Sequence, residues 1–455
     1  MTENIVKISQ IIGGRYDFAI NFYKQSTSKF KFPTRKIGDL LLTNPQYGAN
    51  ESGIERKSFT EPRYIRITDI NEFGELDSSI GVTAAKIEDK YILNENDIII
   101  ARSGATVGKS YIYKQNNNNY ICFFAGYMIR FQVNPLLILP DYFFIYTQLN
   151  IYKKWISATQ RTTGQPNVNA EEYKSLNIPL PPIEIQQKIV DIYDKANQTK
   201  QNKEQEAQQL LDSIDSYLLE QLGIADYKAG TKQLGFFVNI SELIGKRYDV
   251  SFYKDRFELK STKYNNNKLS DVVIVNPSIN FKFLSNEDEI SFVPMEVVDE
   301  VYGEITENRK TTVSNTKGFT KFEENDLLWA KITPCMQNGK SAIARNLING
   351  VGCGSTEFYV LRPKNEDISI DYIYFLLRHH KVLEATKSSF GGSAGQQRVS
   401  SGYLKSVTIP TPPIEIQKEI VNVIISKKTK AQQLQTEASL LLAEAKKEIE
   451  KIILG

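Results

Sequence analysis

The chain has 455 residues, too many for one ordinary hydrophobic core, so two or three domains are expected. Its 41% hydrophobic and 24% charged content describes a soluble globular protein, and a formal net charge of +3 neither requires nor excludes a nucleic-acid partner. No apolar run approaches the ~20 residues of a membrane span. Met1-Thr2-Glu3-Asn4 does not begin a basic-then-apolar leader, and the three scattered cysteines Cys122, Cys335 and Cys353 point to reduced thiols in a cytoplasmic protein.

In chain order, most landmarks occur twice. Gly13-Gly14-Arg15-Tyr16-Asp17 with Phe22-Tyr23-Lys24 returns as Gly245-Lys246-Arg247-Tyr248-Asp249 with Phe252-Tyr253-Lys254. Lys36–Asp39 leading to Asn44-Pro45 returns as Lys268–Asp271 leading to Asn276-Pro277. The apolar bursts Asp97–Arg102 and Asp326–Lys331 each run on to Gly-Lys-Ser, at Gly108–Ser110 and Gly339–Ser341. Asp141-Tyr142 and Asp371-Tyr372 open aromatic helical runs. Gly164-Gln165 and Gly395-Gln396 follow, then Ile178-Pro179 and Ile409-Pro410. This order implies duplication of a whole domain, far longer than a solenoid repeat. Sequence between the landmarks differs, so the copies share a scaffold and not a surface.

Within each copy the patterns are short and strand-like. Tyr64–Thr68 and Ile343–Arg345 alternate, and Asp97–Ala101 reads as a strand buried on both faces. Asn116–Asn119 and Asn265–Asn267 read as loops. The expected class is α+β, with a mixed or barrel-like sheet and a few helices in each globular domain.

Pro181-Pro182-Ile183-Glu184-Ile185-Gln186 returns as Pro412-Pro413-Ile414-Glu415-Ile416-Gln417, and each copy starts a long apolar-striped run. Proline fits a helix start, where its missing N–H costs nothing. The first stripe steps through Ile189, Tyr193, Ala196, Ala207, Leu210, Ile214 and Tyr217, interrupted by Lys200 and Lys203. The second steps through Ile420, Ile424, Ala431, Leu434, Ala438, Leu441, Ala445 and Ile452, interrupted by Lys427 and Glu448. A 3.5-residue period predicts a coiled-coil seam, over ~60 Å of helix in each run. A lone helix of this kind is marginal in water, so the two are expected to pack together. An antiparallel pair would set the domains at opposite ends and a parallel pair side by side; the antiparallel coiled coil, with pseudo-twofold symmetry, is the expectation adopted. The partition is then a first domain over 1–180, a spacer helix over 181–224, a second domain over 225–410 and a C-terminal spacer helix over 411–455.

Ser103–Ser110 looks like a phosphate loop, yet only three residues separate Gly104 from Gly108 where four are needed, so a strand-to-strand turn with an exposed lysine is expected. Asn44-Pro45-Gln46-Tyr47 resembles the Asn-Pro-Pro-Tyr box of amino-methylating DNA methyltransferases, with glutamine for the second proline; a turn is the reading preferred. His379 and His380 are the only histidines, and adjacent positions on one helix would not face a common metal.

Polar and basic loops remain. Arg161, Gln165 and Asn167 match Gln396, Gln397 and Arg398 just before the helices, and such side chains read base edges. Arg102, Lys109, Lys331 and Lys340 are candidates for phosphates, and Lys57, Arg63 and Arg66 add a basic stretch in the first copy.

Two divergent domains, each closed by an Ile-Pro-x-Pro-Pro segment and a long helix, resemble the specificity subunit of type I restriction-modification systems. Asp97–Ser110 and Ile178–Ile189 with its copy Ile409–Ile420 carry the resemblance, which covers essentially the whole chain; the second copy departs at Trp329–Gly339. The resemblance implies two target recognition domains, each reading half of a split, asymmetric site in double-stranded DNA. It implies no catalysis and no cofactor in this chain. The helices would dock two copies of a modification (methyltransferase) subunit that binds S-adenosylmethionine, and a restriction subunit using ATP and magnesium could join. The competing reading is a self-contained DNA adenine methyltransferase built around Asn44–Tyr47.

Overall fold

The computed structural model describes residues 29–77, 79–115, 120–159, 166–224, 259–387, 389–391 and 397–454. Its chain divides into two compact units, Met1–Glu204 with Thr436–Gly455, and Gln205–Gln435.

The first unit contains β1 (Thr34–Lys36), β2 (Gln46–Tyr47), β3 (Gly53–Glu55), β4 (Arg63–Ile65), β5 (Val82–Ala84), β6 (Ile98–Ala101), β7 (Ser110–Ile112), β8 (Cys122–Phe124) and β9 (Met128–Phe131). Helices α1 (Pro140–Gln148), α2 (Asn150–Thr159) and α3 (Ala170–Lys174) follow, then β10 (Asn177–Pro179) and the start of α4 (Ile183–Leu222). One antiparallel sheet runs β2-β9-β6-β7, and a second, mixed sheet runs β3-β5-β4-β8 with β4 and β8 parallel. Strand β6 is why the apolar burst reads as continuous. Its alternate residues Ile98 and Ile100 face the helices, while Ile99 faces the core between the sheets with Tyr64, Phe123 and Phe124.

The second unit repeats this plan with β11 (Asn266–Lys268), α5 (Leu269–Val272), β12 (Val273–Val275), β13 (Glu289–Val293), β14 (Arg309–Thr312), β15 (Thr320–Glu323), β16 (Leu327–Ala330), β17 (Ser341–Ile343), β18 (Val351–Gly354) and β19 (Phe358–Pro363). Helices α6 (Ile370–Arg378) and α7 (His380–Lys387), strands β20 (Phe390–Gly391) and β21 (Arg398–Val399), α8 (Ser401–Ser406), β22 (Thr408–Pro410) and the start of α9 (Ile414–Leu454) complete it. Its sheets run β12-β19-β16-β17 and β14-β13-β18-β15, again with one parallel pair, β13 with β18. The copies differ at the edges. Strand β15 corresponds in the first unit to the single bridge Ile92–Phe123, while β3 lengthens the opposite edge. Asn266 and Asn267, expected in a loop, instead pair in β11 with β22, because that strand closes the entry of the domain against its exit.

The long helices have 40 and 41 residues. In the first unit the opening turns of α4 meet the closing turns of α9, with Ile189 and Tyr193 in one cluster with Leu442, Ile449 and Ile453, and Lys203 bonded to Glu437 at 2.6 Å. In the second unit the end of α4 meets the start of α9, with Leu218 and Leu222 beside Ile420 and Ile424, and Ala207 beside Ala431 and Leu434. Both pairings are antiparallel. Ala196, Leu210, Ile214 and Tyr217 are half-buried in these contacts.

The seam departs from the expected heptads. Leu441 and Ile452 are half-buried flanks, and the buried positions are their neighbours Leu442 and Ile453. Ile420, Ala431, Leu442 and Ile453 recur every eleventh residue, as do Ile189, Lys200 and Leu222 on multiples of that step. Eleven residues in three turns follow the natural pitch of the α-helix more closely than seven in two, so the stripe stays inward without left-handed winding. Lys200 does not interrupt the stripe. It is buried, with Glu204 at 3.1 Å, Glu75 at 3.5 Å and the Phe73 ring 4.8 Å away.

Candidate nucleic-acid interface

The scaffold holding the candidate loops is anchored identically in both units. The Gln186 side chain, fully buried, accepts the Leu139 N–H at 2.9 Å and donates to the Pro181 carbonyl at 2.9 Å. Gln417 accepts the Ser369 N–H at 2.9 Å and donates to the carbonyls of Pro412 and Asp367 at 2.8 and 2.9 Å. The glutamine that ends the proline motif thus ties the start of each long helix to the start of the aromatic helix. Tyr142 and Tyr372 reinforce this by donating to the Pro179 and Pro410 carbonyls at 2.7 and 2.9 Å. Buried Asp97 and Asp326, at the heads of the apolar strands, accept Arg130 at 3.2 Å and Arg362 at 2.7 Å. A carboxylate from the far end of the opposite helix then caps the second short helix. Glu450 accepts the Ile151 N–H at 3.2 Å, and Asp215 accepts the His380 N–H at 3.0 Å.

The residues that follow the Gly-Gln positions pair alike in both units. Val168 N–H donates to the Arg102 carbonyl and Val399 N–H to the Lys331 carbonyl, both at 2.9 Å, while Asn167 bridges Ser103 and Arg398 bridges Ile332. Thr333 N–H donates to the Gln397 carbonyl at 3.0 Å. Beside each pairing a cation lies over a tyrosine ring, Arg102 over Tyr47 at 5.0 Å and Lys331 over Tyr359 at 5.2 Å. Arg161, Gln165 and Gln396 lie outside the described residues, as do the Gly13–Lys24 and Gly245–Lys254 landmarks and Asn116–Asn119.

Several candidates are occupied by the fold itself. Arg63 is 2% exposed and pairs with Asp77 at 2.5 Å, so it braces the domain interior and is not a surface cation. Arg66 pairs with Asp69 at 2.8 Å. Lys109, expected to be exposed, donates at 2.6 Å to the Ile70 carbonyl, and its counterpart Lys340 donates at 3.2 Å to the Met295 carbonyl. Both lysines latch the same turn, which follows the strand that leads the parallel pair, β4 in the first unit and β13 in the second. Arg398 forms a two-pronged pair with Glu357 at 2.8 and 2.9 Å, holding the Glu357 carboxyl below its usual range. Arg102, Lys331, Asn167 and Gln397 are thus, together with the paired Arg398, the described candidates gathered at these positions.

The tempting catalytic motifs take structural positions. Gly108-Lys109-Ser110 leads into strand β7, where a phosphate loop would open a helix. Gln46 and Tyr47 pair with Arg130 and Ile129 in a strand, and the Tyr47 hydroxyl accepts the Ala170 N–H at 3.2 Å. Burial pushes the Cys122 thiol up to about 12 and the Cys353 thiol up to about 11, so neither is a thiolate nucleophile near neutral pH. The histidines overturn the expectation drawn for them. They do not share a helix: His379 ends α6 in an extended conformation and His380 opens α7, so their rings stack 4.9 Å apart beside Asp215. Their ligand atoms and a carboxylate oxygen of Asp215 all lie within 4.8 Å of one another, with His380 Nδ1 meeting the Asp215 carboxylate at 2.5 Å, so adjacency in sequence did not keep the pair from facing one point.

Sequence reasoning missed Arg56, which is 1% exposed and donates to three carbonyls, of Glu61, Phe59 and Ile80, at 2.7–2.8 Å. It also lies 4.0 Å from the Tyr120 ring centroid. The Phe59 and Glu61 carbonyls are close in sequence, but the Ile80 carbonyl and the Tyr120 ring that complete its burial are brought to it only by the fold.

Residues 31–211 and 247–438 match the family model described as type I restriction modification DNA specificity domain. The EcoEI type I restriction enzyme specificity subunit of Escherichia coli is 37% identical over 154 residues, which cover 34% of this chain and 26% of that one. The EcoAI specificity subunit, also from Escherichia coli, is 33% identical over 188 residues, covering 41% and 31%. The matches therefore span about a third or less of those relatives' length. A chain solved in work on complex assembly and conformational transition of the type I R-M system superposes with a TM-score of 0.51 at 14% identity, covering 93% of this chain and 97% of that one, a likeness of fold.

Proposed function

This chain belongs to the family of type I restriction modification DNA specificity domains, and we propose that it is the subunit that reads DNA for a type I complex. Each globular domain, 1–180 and 225–410, reads one half of a bipartite, asymmetric site in double-stranded DNA. The helices, 181–224 and 411–455, set the interval between half-sites and dock two modification subunits, to which a restriction subunit can be added. S-adenosylmethionine, ATP and magnesium belong to those partners, and this chain carries no catalysis.

The observation that carries this reading is the contrast between anchors and loops. Gln186 and Gln417, Tyr142 and Tyr372, and Asp97 and Asp326 recur with the same partners. The loops around them are unrelated in sequence. A protein offering two equal docking sites to identical partners needs repeated helix anchors, and one reading two different half-sites needs diverged surfaces. The alternative, a self-contained adenine methyltransferase, is disfavoured because Gln46 and Tyr47 are paired within a sheet. Incubating the purified chain with DNA and labelled S-adenosylmethionine separates the two: methyl transfer by the chain alone would refute our proposal. Addition of a modification subunit is expected to produce methylation at one split sequence.

A further inference from the structure

We infer that Phe59 and Phe283 are the apolar base contacts of the two half-sites, one per domain, each flanked by a lysine, Lys57 or Lys282, that binds the adjoining phosphate. This rests on the DNA-reading function proposed above and assigns it to particular side chains.

A single exposed phenylalanine is unremarkable. Two in corresponding places, in loops of unrelated sequence, are less so. Phe59 lies between β3 and β4, in the stretch of the first unit that leads from β2 to β4, and Phe283 in the connection from β12 to β13. These connections correspond, since β2 and β12 both pair with the central antiparallel sheet, and β4 and β13 both lead the parallel pair. Phe59 is 56% exposed and Phe283 66% exposed.

Each stands at the tip of a hydrogen-bonded turn. Glu61 N–H donates to the Ser58 carbonyl at 3.2 Å across Phe59, and Leu284 N–H donates to the Phe281 carbonyl at 2.9 Å across Lys282 and Phe283. Both tips are held from below by different means. The buried Arg56 guanidinium donates to the Phe59 carbonyl at 2.8 Å. Phe281 is itself buried beneath the Lys321 ammonium, 4.7 Å from its ring. A turn held this firmly presents its apolar tip with little ordering left to lose on binding. Lys57 and Lys282 are exposed, without a carboxylate partner among the described residues. An exposed apolar ring within two residues of a lysine that has no carboxylate partner among the described residues matches the surface of duplex DNA, where thymine methyls and base steps lie between phosphates.

The test selects binding sites from a randomised duplex pool, using the full-length chain with a co-expressed modification subunit. Wild type is compared with Phe59→Ala, Phe283→Ala, Lys57→Ala and Lys282→Ala. Because all four side chains are exposed, melting curves are expected to match wild type. Phe59→Ala is expected to relax base preference in one half-site and weaken that site about tenfold, leaving the other half intact, and Phe283→Ala to do the converse. Each lysine variant is expected to weaken all sequences alike and to lower the salt slope by about one. If wild type enriches a split site and both phenylalanine variants select the same bases with wild-type affinity, the inference falls while the DNA-reading function stands. Relaxation of the same half by both variants would also overturn it. If wild type enriches no sequence, the functional proposal fails and takes the inference with it.

Discussion

Gln186 and Gln417 show how much of this architecture hangs on single polar side chains. Each is fully buried with its bonds made, so truncation strands a backbone N–H and carbonyls that water cannot reach. Gln186→Ala and Gln417→Ala are each expected to cost about 1–3 kcal/mol in urea unfolding, whereas exposed Gln187→Ala should be near neutral. Asp326 is buried and accepts two nitrogens of Arg362, which also keeps Glu323 at 2.7 Å; Asp326→Ala therefore loses buried hydrogen bonds without stranding the guanidinium, and is expected to cost about 1–3 kcal/mol by the same measurement. Lys446 and Lys428 make a pH prediction. Burial, with neighbouring cations (Lys153 and Lys200 around Lys446, Arg378 around Lys428), pushes both ammonium groups down to about 8 from an ordinary 10.5. Between those values the unfolded chain binds more protons than the folded one, so these two groups make stability rise as pH increases from about 8 to 10.5. Lys428→Met and Lys446→Met should each flatten that rise in denaturant midpoints measured across the same window.

At the level of the helices, the spacing of buried residues decides what packs. A heptad reading places Leu441 in the seam, yet the eleven-residue pattern places Leu442 there, among Ile189, Tyr193 and Ile449. Leu442→Ala is expected to cost about 2–5 kcal/mol and Leu441→Ala clearly less, compared by thermal melting. The reverse order would restore the heptad. Short elements were harder to anticipate. Gly74 and Gly303 occupy matching turns with φ of 78° and 62°, where a Cβ would strike Phe144 and the Tyr374 hydroxyl respectively. The runs Phe73-Gly74-Glu75 and Tyr302-Gly303-Glu304 repeat between the copies, but the helix that crowds each glycine is contributed by residues some 70 positions later, so the crowding itself is not written locally.

For the whole molecule, the proposed ruler has a direct consequence. Eleven residues added to both α4 and α9, between 204 and 205 and between 435 and 436, preserve the phase of the buried stripe. They lengthen the helices by roughly 16 Å, or about 5 base pairs of DNA. The methylated site is expected to keep both half-sequences and to widen its gap by about that number, read from methylation mapping. Altered half-sequences with an unchanged gap would contradict the ruler. Duplication, the α+β class and both long helices were legible in the sequence alone, because repeats, proline starts and apolar periodicity are local patterns. Which charges remain available for a ligand was not. Arg63 and Lys109 look like surface cations until Asp77 and the Ile70 carbonyl arrive from elsewhere in the chain. The two histidines likewise seemed to share a helix until the chain broke between them to meet Asp215. Burial and pairing are set by residues distant in sequence, so only the tertiary structure decided them.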